Sequence, residues 1–139
     1  PNETAADFEA TVKLMTDVGF DYSFSFLYSP RPGTPAAFIK DDTPQATKLE
    51  RLSKLQAINE TQGDAISRTM LGTVQRVLID GVSWKNKNLL AGKTDNNRVV
   101  DIAGNAALIN TFVQVKITDA SNPKRLKGKI IENDFTQLI

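Results

Sequence analysis

The chemically most suggestive stretch of the first half is a proline-rich loop, SPRPGTPAA, at positions 29–37. Its prolines fix backbone angles and Gly33 permits a turn, so the loop holds Arg31 on a stiff support. A preorganised guanidinium of this kind suits a carboxylate or a phosphate. The alternative is a rigid surface connection in which Arg31 pairs with a nearby acid. The composition of the loop alone favours this alternative.

A segment of alternating aromatic and small residues leads into this loop. Its order along the chain is Tyr22, Ser23, Phe24, Ser25, Phe26, Leu27, Tyr28 and Ser29. A period of two predicts a strand with one bulky face and one mostly small, polar face. In a parallel α/β layer, we expect the bulky face to pack under helices and the serine face to look into a barrel or crevice.

The first helix is predicted at about residues 4–18, since Thr4 and Asp7 resemble a capping box and Gly19 supplies a left-handed stop. Glu3 lies at the start of this helix. It is either a ligand contact or a residue that complements the helix dipole, and the sequence favours the dipole role.

A second helix is predicted from Pro44 to about residue 69 or 70, because Thr43 and Pro44 give the preferred cap and first position. It is long and mostly polar, which is typical of a helix that bridges two bodies. After Gly72 come five β-like segments: TVQRVLID, NLLAGKT, RVVDI, FVQVKITDA and LKGKIIE. Short strands at this spacing predict a small closed barrel of OB-like size.

The predicted barrel is basic. Residues 72–139 contain 10 Lys and Arg against 6 Asp and Glu, whereas residues 1–71 contain 7 against 10. The candidate contacts are Trp84, Lys85, Lys87, Lys93, Asn96, Asn97, Arg98, Lys116, Lys124, Arg125, Lys127 and Lys129. OB-like barrels bind single strands or loops of nucleic acid through a cationic groove and a few stacking rings. Because aromatic residues are scarce here, phosphate contacts should dominate, and a merely solvated β-surface is about equally compatible with the spacing.

The composition excludes several classes of site. The chain has no cysteine and no histidine, so it provides no disulfide, no thiolate or zinc cluster and no histidine-based catalytic triad. No apolar run approaches the roughly 18 residues of a membrane span, and no signal peptide is visible, so a cytosolic setting is expected. The chain begins at Pro1, and 6 of its 10 aromatic residues lie between Phe20 and Phe38. This clustering predicts a truncated core that belongs to a longer protein.

Four motifs in the same order resemble the C-terminal portion of bacterial tRNA methylthiotransferases of the MiaB type: PNETAADFEATVKLM, YSPRPGTPAA, ISRTMLGTVQRVLIDG and LAGKTDNNRVVDI. The resemblance implies an α/β fragment that ends a radical-SAM, TIM-like barrel at residues 1–42. A linker helix at 43–69 and an OB-like TRAM barrel at 70–139 follow. Family members commonly have Gly where Asn2 stands, and Asn tolerates a positive φ better than most residues.

The resemblance also implies a reaction. Such enzymes use S-adenosylmethionine and two 4Fe-4S clusters to add a methylthio group at C2 of N6-isopentenyl-adenosine, next to the tRNA anticodon. The cluster cysteines lie upstream in the family, so this fragment is expected to be inactive alone and to hold no catalytic or metal-binding residue. The fragment is expected to supply one wall of the active-site cavity and to bind the anticodon stem-loop. The cavity wall would comprise Glu3, Ser23, Ser25, Ser29 and Arg31.

Two other functions stay open at this stage. One is a non-enzymatic RNA-binding module, and the other is a methylthiotransferase that acts on another tRNA adenosine or on a ribosomal protein. Relatives that modify a ribosomal protein carry a more acidic signature where this chain reads GKTDNNRVV, so Asn97 and Arg98 favour a nucleic-acid partner. We also expect residues 1–42 to be ordered only by contacts borrowed from another copy, through self-association.

Overall fold

The structure, a computed structural model, describes residues 1–131. Two compact units divide after Gly63, which lies inside the second helix. The sequence-based boundaries at residues 42 and 69 fall on either side of this division. The helices are α1 (Ala5–Val18) and α2 (Gln45–Thr69), and the strands are β1 (Val74–Val82), β2 (Leu90–Thr94), β3 (Val99–Ile102), β4 (Phe112–Asp119) and β5 (Leu126–Ile130). Short 3-10 helices cover Pro35–Phe38 and Ala106–Leu108.

The first helix has the predicted caps. The Thr4 amide donates to Asp7 Oδ2 at 2.8 Å, and the Asp7 amide donates to Thr4 Oγ1 at 3.1 Å, which completes the capping box. Gly19 ends the helix in the left-handed region at φ 66°. Asn2 also has a positive φ, 67°, so the special backbone angle expected at this position is present and asparagine adopts it. Local sequence therefore determines where α1 begins and ends and the backbone angle of the residue before its cap.

The first unit packs around the part of α2 that precedes the division. Phe8 and Met15 of α1 are its buried apolar side chains among the described residues. The Gln62 side chain donates to the Met15 carbonyl at 3.1 Å. Gly63 lets the Tyr22 ring lie close against the backbone of α2, because a Cβ at residue 63 would be 2.2 Å from a ring carbon of Tyr22. The glycine that interrupts the apolar stripe of α2 therefore makes room for an aromatic ring.

The prediction of a strand at residues 22–29 is wrong. No strand precedes β1 in the part of the chain that the structure describes. Instead, the Ser23 amide and hydroxyl donate to Asn59 Oδ1 of α2 at 2.9 and 3.1 Å, and the Asn59 amide returns a bond to the Ser23 carbonyl at 3.2 Å. A strand needs a neighbouring strand for its backbone bonds. Here the Asn59 side chain of α2 makes the backbone hydrogen bonds of Ser23 that a neighbouring strand would otherwise make.

The side chains of this segment also point the opposite way from the prediction, which had the aromatic face packed and the serine face open. The Ser23 side faces α2, whereas Phe24 and Phe26 are 90% and 81% exposed. The expectation that residues 1–42 would be ordered only by another copy is wrong as well, because α2 of the same chain supplies the contacts. Self-association stays a prediction that this structure does not test.

The second unit contains the predicted barrel. All five strands are present and close in the order β1-β2-β3-β5-β4. The β3–β5 pair is parallel and the other four pairs are antiparallel. Alternate residues point inward, as a pleated strand requires. The fully buried core consists of Val77, Ile79, Val100, Ile102, Val115, Ile117 and Leu126.

Gly92 of β2 and Gly128 of β5 let strands of the barrel approach closely. Gly128 provides a test. A Cβ at this position would lie 2.3 Å from Val115 Cγ1 and 2.9 Å from the Lys116 carbonyl oxygen. Gly128→Ala is therefore expected to lower the free energy of unfolding by about 1–3 kcal/mol, through overpacking. Urea denaturation measures this change.

Gly81 of β1 is the matched control for this substitution. A Cβ at Gly81 would meet no atom within 4 Å. Gly81→Ala should therefore leave the urea midpoint nearly unchanged. A Gly128→Ala protein as stable as the parent would contradict the close contact.

Candidate nucleic-acid interface

A buried ion pair organises one outer surface of the barrel. The Arg125 guanidinium donates from Nε to Asp101 Oδ2 at 2.6 Å and from Nη2 to Asp101 Oδ1 at 2.5 Å. Nη2 also donates to Ser83 Oγ at 2.8 Å. The Arg125 and Asp101 side chains are only 11% and 8% exposed. Bidentate geometry and a third bond fix the orientation of the guanidinium.

The Trp84 ring lies against the arginine of this ion pair. The Arg125 guanidinium carbon lies 5.3 Å from the centroid of the indole ring, within cation–π range. Trp84 itself is 81% exposed. The ring therefore contacts a fixed cation and still presents most of its surface to solvent. We call Trp84, Arg125, Asp101 and Ser83 the tryptophan cluster.

The electrostatics of this cluster depend on Asp101. Burial is the largest single influence and raises its pKa, but hydrogen bonds from Arg125 and Ser83 and the charges of Arg125 and Lys85 together lower it below the ordinary value of 3.8. A carboxylate with a lowered folded-state pKa stabilises the fold above its unfolded pKa. That contribution is lost as the pH falls through the folded-state pKa.

This linkage gives a testable pH dependence. Asp101→Asn is expected to lower the free energy of unfolding by about 1–3 kcal/mol at pH 7, because it weakens a buried charged hydrogen bond. The difference between parent and variant should shrink as the pH falls below the ordinary carboxyl value of 3.8. Denaturation at several pH values measures it. A difference that stays constant from pH 7 to pH 2 would contradict the linkage.

A row of lysines lies on β4 and β5. Lys116 is directly opposite Lys129, and both are exposed. Lys127 shares the exposed face of β5 with Lys129, and its Nζ lies 3.4 Å from Asp119 Oδ2. Lys116 and Lys129 have no ion-pair partner among residues 1–131. We call Lys116, Lys127 and Lys129 the β4–β5 lysine row.

The β1–β2 loop adds two exposed cations, Lys85 and Lys87. The loop is folded by local bonds: the Asn86 amide donates to Ser83 Oγ at 3.2 Å, and the Asn88 amide donates to Asn86 Oδ1 at 3.0 Å. Lys85 follows Trp84 directly, and Lys127 pairs in register with Asp101. Trp84 and Lys85 therefore lie next to each other in this loop, and Lys127 is on the strand that pairs with β3 beside Asp101.

The β2–β3 turn forms a separate group. Lys93 near the end of β2 and Asn97 in the turn are exposed, and Asn97 has a φ of 63°, so it serves the turn as a left-handed residue. Asn96 is also committed to the turn: its Oδ1 accepts from Thr94 Oγ1 at 2.6 Å. This turn and the β1–β2 loop flank opposite ends of β2, whose five residues span about 13 Å.

Arg98 is not a surface contact, and the prediction that it binds RNA is wrong. It is only 2% exposed. Its Nε donates to Ser67 Oγ of α2 at 2.7 Å, and Nη1 donates to the Asn96 carbonyl at 3.1 Å. The guanidinium is thus used inside the unit. Lys124 is also engaged, with its Nζ 3.9 Å from Asp64 Oδ1.

The candidate cavity residues of the first unit lie in different places. Glu3 and Ser25 line a pocket of about 270 Å³. There, Glu3 forms an ion pair with Arg51 of α2 at 3.0 Å. Ser23, Ser29 and Arg31 are not among the lining residues. The structure therefore joins two of the five candidates.

Arg31 itself is exposed, and no acid pairs with it in residues 1–131. Its carbonyl accepts bonds from the Thr34 amide at 3.2 Å and the Thr34 hydroxyl at 2.7 Å. The predicted turn is present, with Gly33 at φ 82°. The structural alternative, in which Arg31 pairs with a nearby acid, has no support among the described residues.

Sequence reasoning missed Asp101 and Ser83, which hold Arg125 under Trp84. A signal for Asp101 was available, because it is an acid within the otherwise apolar strand VVDI. A charged residue at such a position needs a partner of opposite charge. The identity of that partner was not readable, since Arg125 is 24 residues away.

Residues 1–131 contain no group of three or more acidic, histidine or cysteine side chains that could hold a metal ion. Neither α1 nor α2 has both the length and the apolar character needed to cross a membrane.

The fold and this surface define the class of the second unit. Residues 68–131 match the family model of the TRAM domain. The barrel is therefore a TRAM domain, which confirms that part of the resemblance.

Relatives extend the match to nearly the whole chain. It is 59% identical over 131 residues to a tRNA-2-methylthio-N(6)-dimethylallyladenosine synthase of Methylobacillus flagellatus, covering 94% of this chain and 29% of that protein. It is 52% identical over 137 residues to the synthase of Xanthomonas euvesicatoria pv. vesicatoria, covering 99% and 28%. The chain is similar to these synthases over nearly its whole length and spans about three tenths of the length of each.

Proposed function

We propose that this chain is the RNA-binding part of a tRNA methylthiotransferase. The observation that carries the proposal is a closed five-stranded barrel, matched to the TRAM domain, with exposed cations and an exposed tryptophan on its surface. The high identity to synthases named for a tRNA product supports the choice of tRNA over other nucleic acids. An enzyme of this kind works where tRNA is, in the cytoplasm.

The barrel binds mainly through phosphates in this proposal. The β4–β5 lysine row and the exposed lysines of the β1–β2 loop are compact cations on a rigid scaffold, suited to a phosphate backbone. Arg98 holds the scaffold together and does not touch the RNA. The ligand is the anticodon stem-loop of the tRNA, whose folded shape offers several phosphates to one face.

The complete enzyme would add a methylthio group at C2 of N6-isopentenyl-adenosine next to the anticodon. S-adenosylmethionine and two 4Fe-4S clusters would supply the radical and sulfur chemistry. The residues present here do not fit the clusters, because the sequence has no cysteine or histidine and residues 1–131 form no metal-binding group. This chain therefore contributes binding and orientation, and it is inactive without the rest of such an enzyme.

Arg31 is proposed as part of the cavity wall of the complete enzyme, together with Ser25, Ser29 and Glu3, of which only Glu3 and Ser25 line the pocket of the first unit. Support comes from its exposure, its stiff loop and the absence of an acid partner among residues 1–131. A guanidinium held in this way suits a carboxylate or a phosphate. The orientation of Ser23 toward Asn59 argues for a structural role of that serine.

The test measures the affinity of the full chain for an anticodon stem-loop. Fluorescence anisotropy titrations give this affinity at several salt concentrations. The logarithm of the affinity should fall linearly with the logarithm of salt, with a slope near −0.7 to −0.9 per phosphate neutralised. Affinity that does not respond to salt would overturn the proposal. Methylthiolation of isopentenylated tRNA by a longer protein that contains this segment separates the enzyme from a simple RNA-binding module or a ribosomal-protein modifier.

A further inference from the structure

The tryptophan cluster has features that phosphate binding does not require. Trp84 is 81% exposed, yet its ring lies over a guanidinium that Asp101 and Ser83 hold in place. An exposed ring without such support samples several rotamers and loses that freedom on binding. Here much of the ordering is already present in the unbound protein, so the outer face of the indole is a preformed flat surface.

We propose that Trp84 stacks on one unpaired base of the bound RNA, so that the barrel prefers looped or single-stranded RNA to duplex. The inference rests on the proposed function, because it names what the same surface recognises. Every nucleobase has a π face, and base–aromatic stacking tolerates different sequences. In a duplex the bases are already stacked and paired, so none is available to the indole.

The charges around Trp84 fit this role. Lys85 follows it in the loop, is exposed, and is close enough to Asp101 for its charge to lower the pKa of that carboxyl. Lys127 is exposed on β5, two residues after Arg125. Phosphates on either side of a stacked nucleotide would meet these cations. In the β1–β2 loop, an exposed cation and a stacking surface therefore occur together.

Phe112 provides a comparison within the same barrel. It is 61% exposed, and the Arg76 guanidinium carbon lies 5.1 Å from its ring centroid. However, Arg76 and its partner Asp95 are themselves 57% and 64% exposed, so no buried pair fixes this ring. Phe112→Ala is the matched control, because it removes an exposed, cation-contacting ring outside the tryptophan cluster.

The experiment uses the intrinsic fluorescence of the full chain, which contains a single tryptophan. Titration with oligoadenosine, or with an RNA stem-loop, is expected to quench the Trp84 emission, whereas a fully paired RNA duplex should not quench it. Trp84→Ala should weaken binding of the single strand roughly 5- to 150-fold, the range for one stacked base. Trp84→Phe should retain much of the affinity, and Phe112→Ala should match the parent.

The outcomes separate this inference from the proposed function. Salt-dependent RNA binding without quenching, with Trp84→Ala equal to the parent, would overturn the stacking role and leave the proposed function intact. Equal quenching by duplex and single strand would also overturn it. Failure to bind any of these RNAs at low salt would overturn the proposed function and the inference together. Quenching in the unmodified chain needs no variant, so a poorly folded Trp84→Ala protein does not obscure the result.

Discussion

Arg98→Ala is expected to lower the free energy of unfolding of the barrel by about 2–4 kcal/mol, as the loss of a buried, hydrogen-bonded network would. The guanidinium joins Ser67 at the end of α2 to the carbonyl of Asn96 in the β2–β3 turn. Its removal leaves a cavity and leaves these polar groups without this donor. The backbone of Arg98 also pairs with Thr94, at 2.8 and 3.0 Å, and these bonds remain.

The specific geometry makes Arg98→Lys informative. A lysine has one terminal nitrogen and cannot place donors at the Nε and Nη1 positions together. We therefore expect Arg98→Lys to recover only part of the lost stability. Lys93→Ala, an exposed change on the same hairpin, is the control and should stay within about 0.5 kcal/mol of the parent.

Chemical denaturation, with RNA binding measured on the folded fraction, distinguishes this structural role from an RNA contact. At a temperature where Arg98→Ala is folded, its RNA affinity and salt slope should match those of the parent. A stable variant with a reduced salt slope would show that Arg98 contacts phosphate after all. That result would contradict the burial of the side chain.

The parts of the fold that could be predicted from the sequence are those that local patterns determine. Thr4, Asp7 and Gly19 define α1 because caps act within a few residues. The five barrel strands were predicted because each has its own apolar period and ends at a turn residue. The same reasoning failed at residues 22–29, where the period of two was present but the described chain offers no neighbouring strand.

The candidate site was predicted less well, because its contacts cross long distances in sequence. Arg98 bonds to Ser67, 31 residues earlier, and Arg125 bonds to Asp101, 24 residues earlier. A list of cations does not distinguish a buried structural arginine from an exposed lysine. Strand alternation could have placed Lys127 and Lys129 on the outer face of β5, but the partners of the two arginines follow only from the closed barrel.

The β4–β5 lysine row yields the other large expected effect, which concerns RNA affinity. Replacing Lys116, Lys127 and Lys129 together by alanine removes three cations, two of which lie directly opposite each other. If each neutralises one phosphate, the salt slope should become shallower by about 2 units, at about 0.7 per contact. Between 50 and 200 mM salt, the fall in affinity should then be roughly 20-fold smaller than in the parent.

Stability should change little in this triple variant, because all three side chains are exposed and cross-strand like charges are unfavourable. Anisotropy titrations with the stem-loop at several salt concentrations measure the slope. A triple substitution of Lys13, Lys40 and Lys54, exposed lysines of the first unit, is the matched control and should leave the slope unchanged. Equal slopes for the β4–β5 variant and the parent would exclude the row as a phosphate contact and would direct attention to Lys85, Lys87 and Lys93.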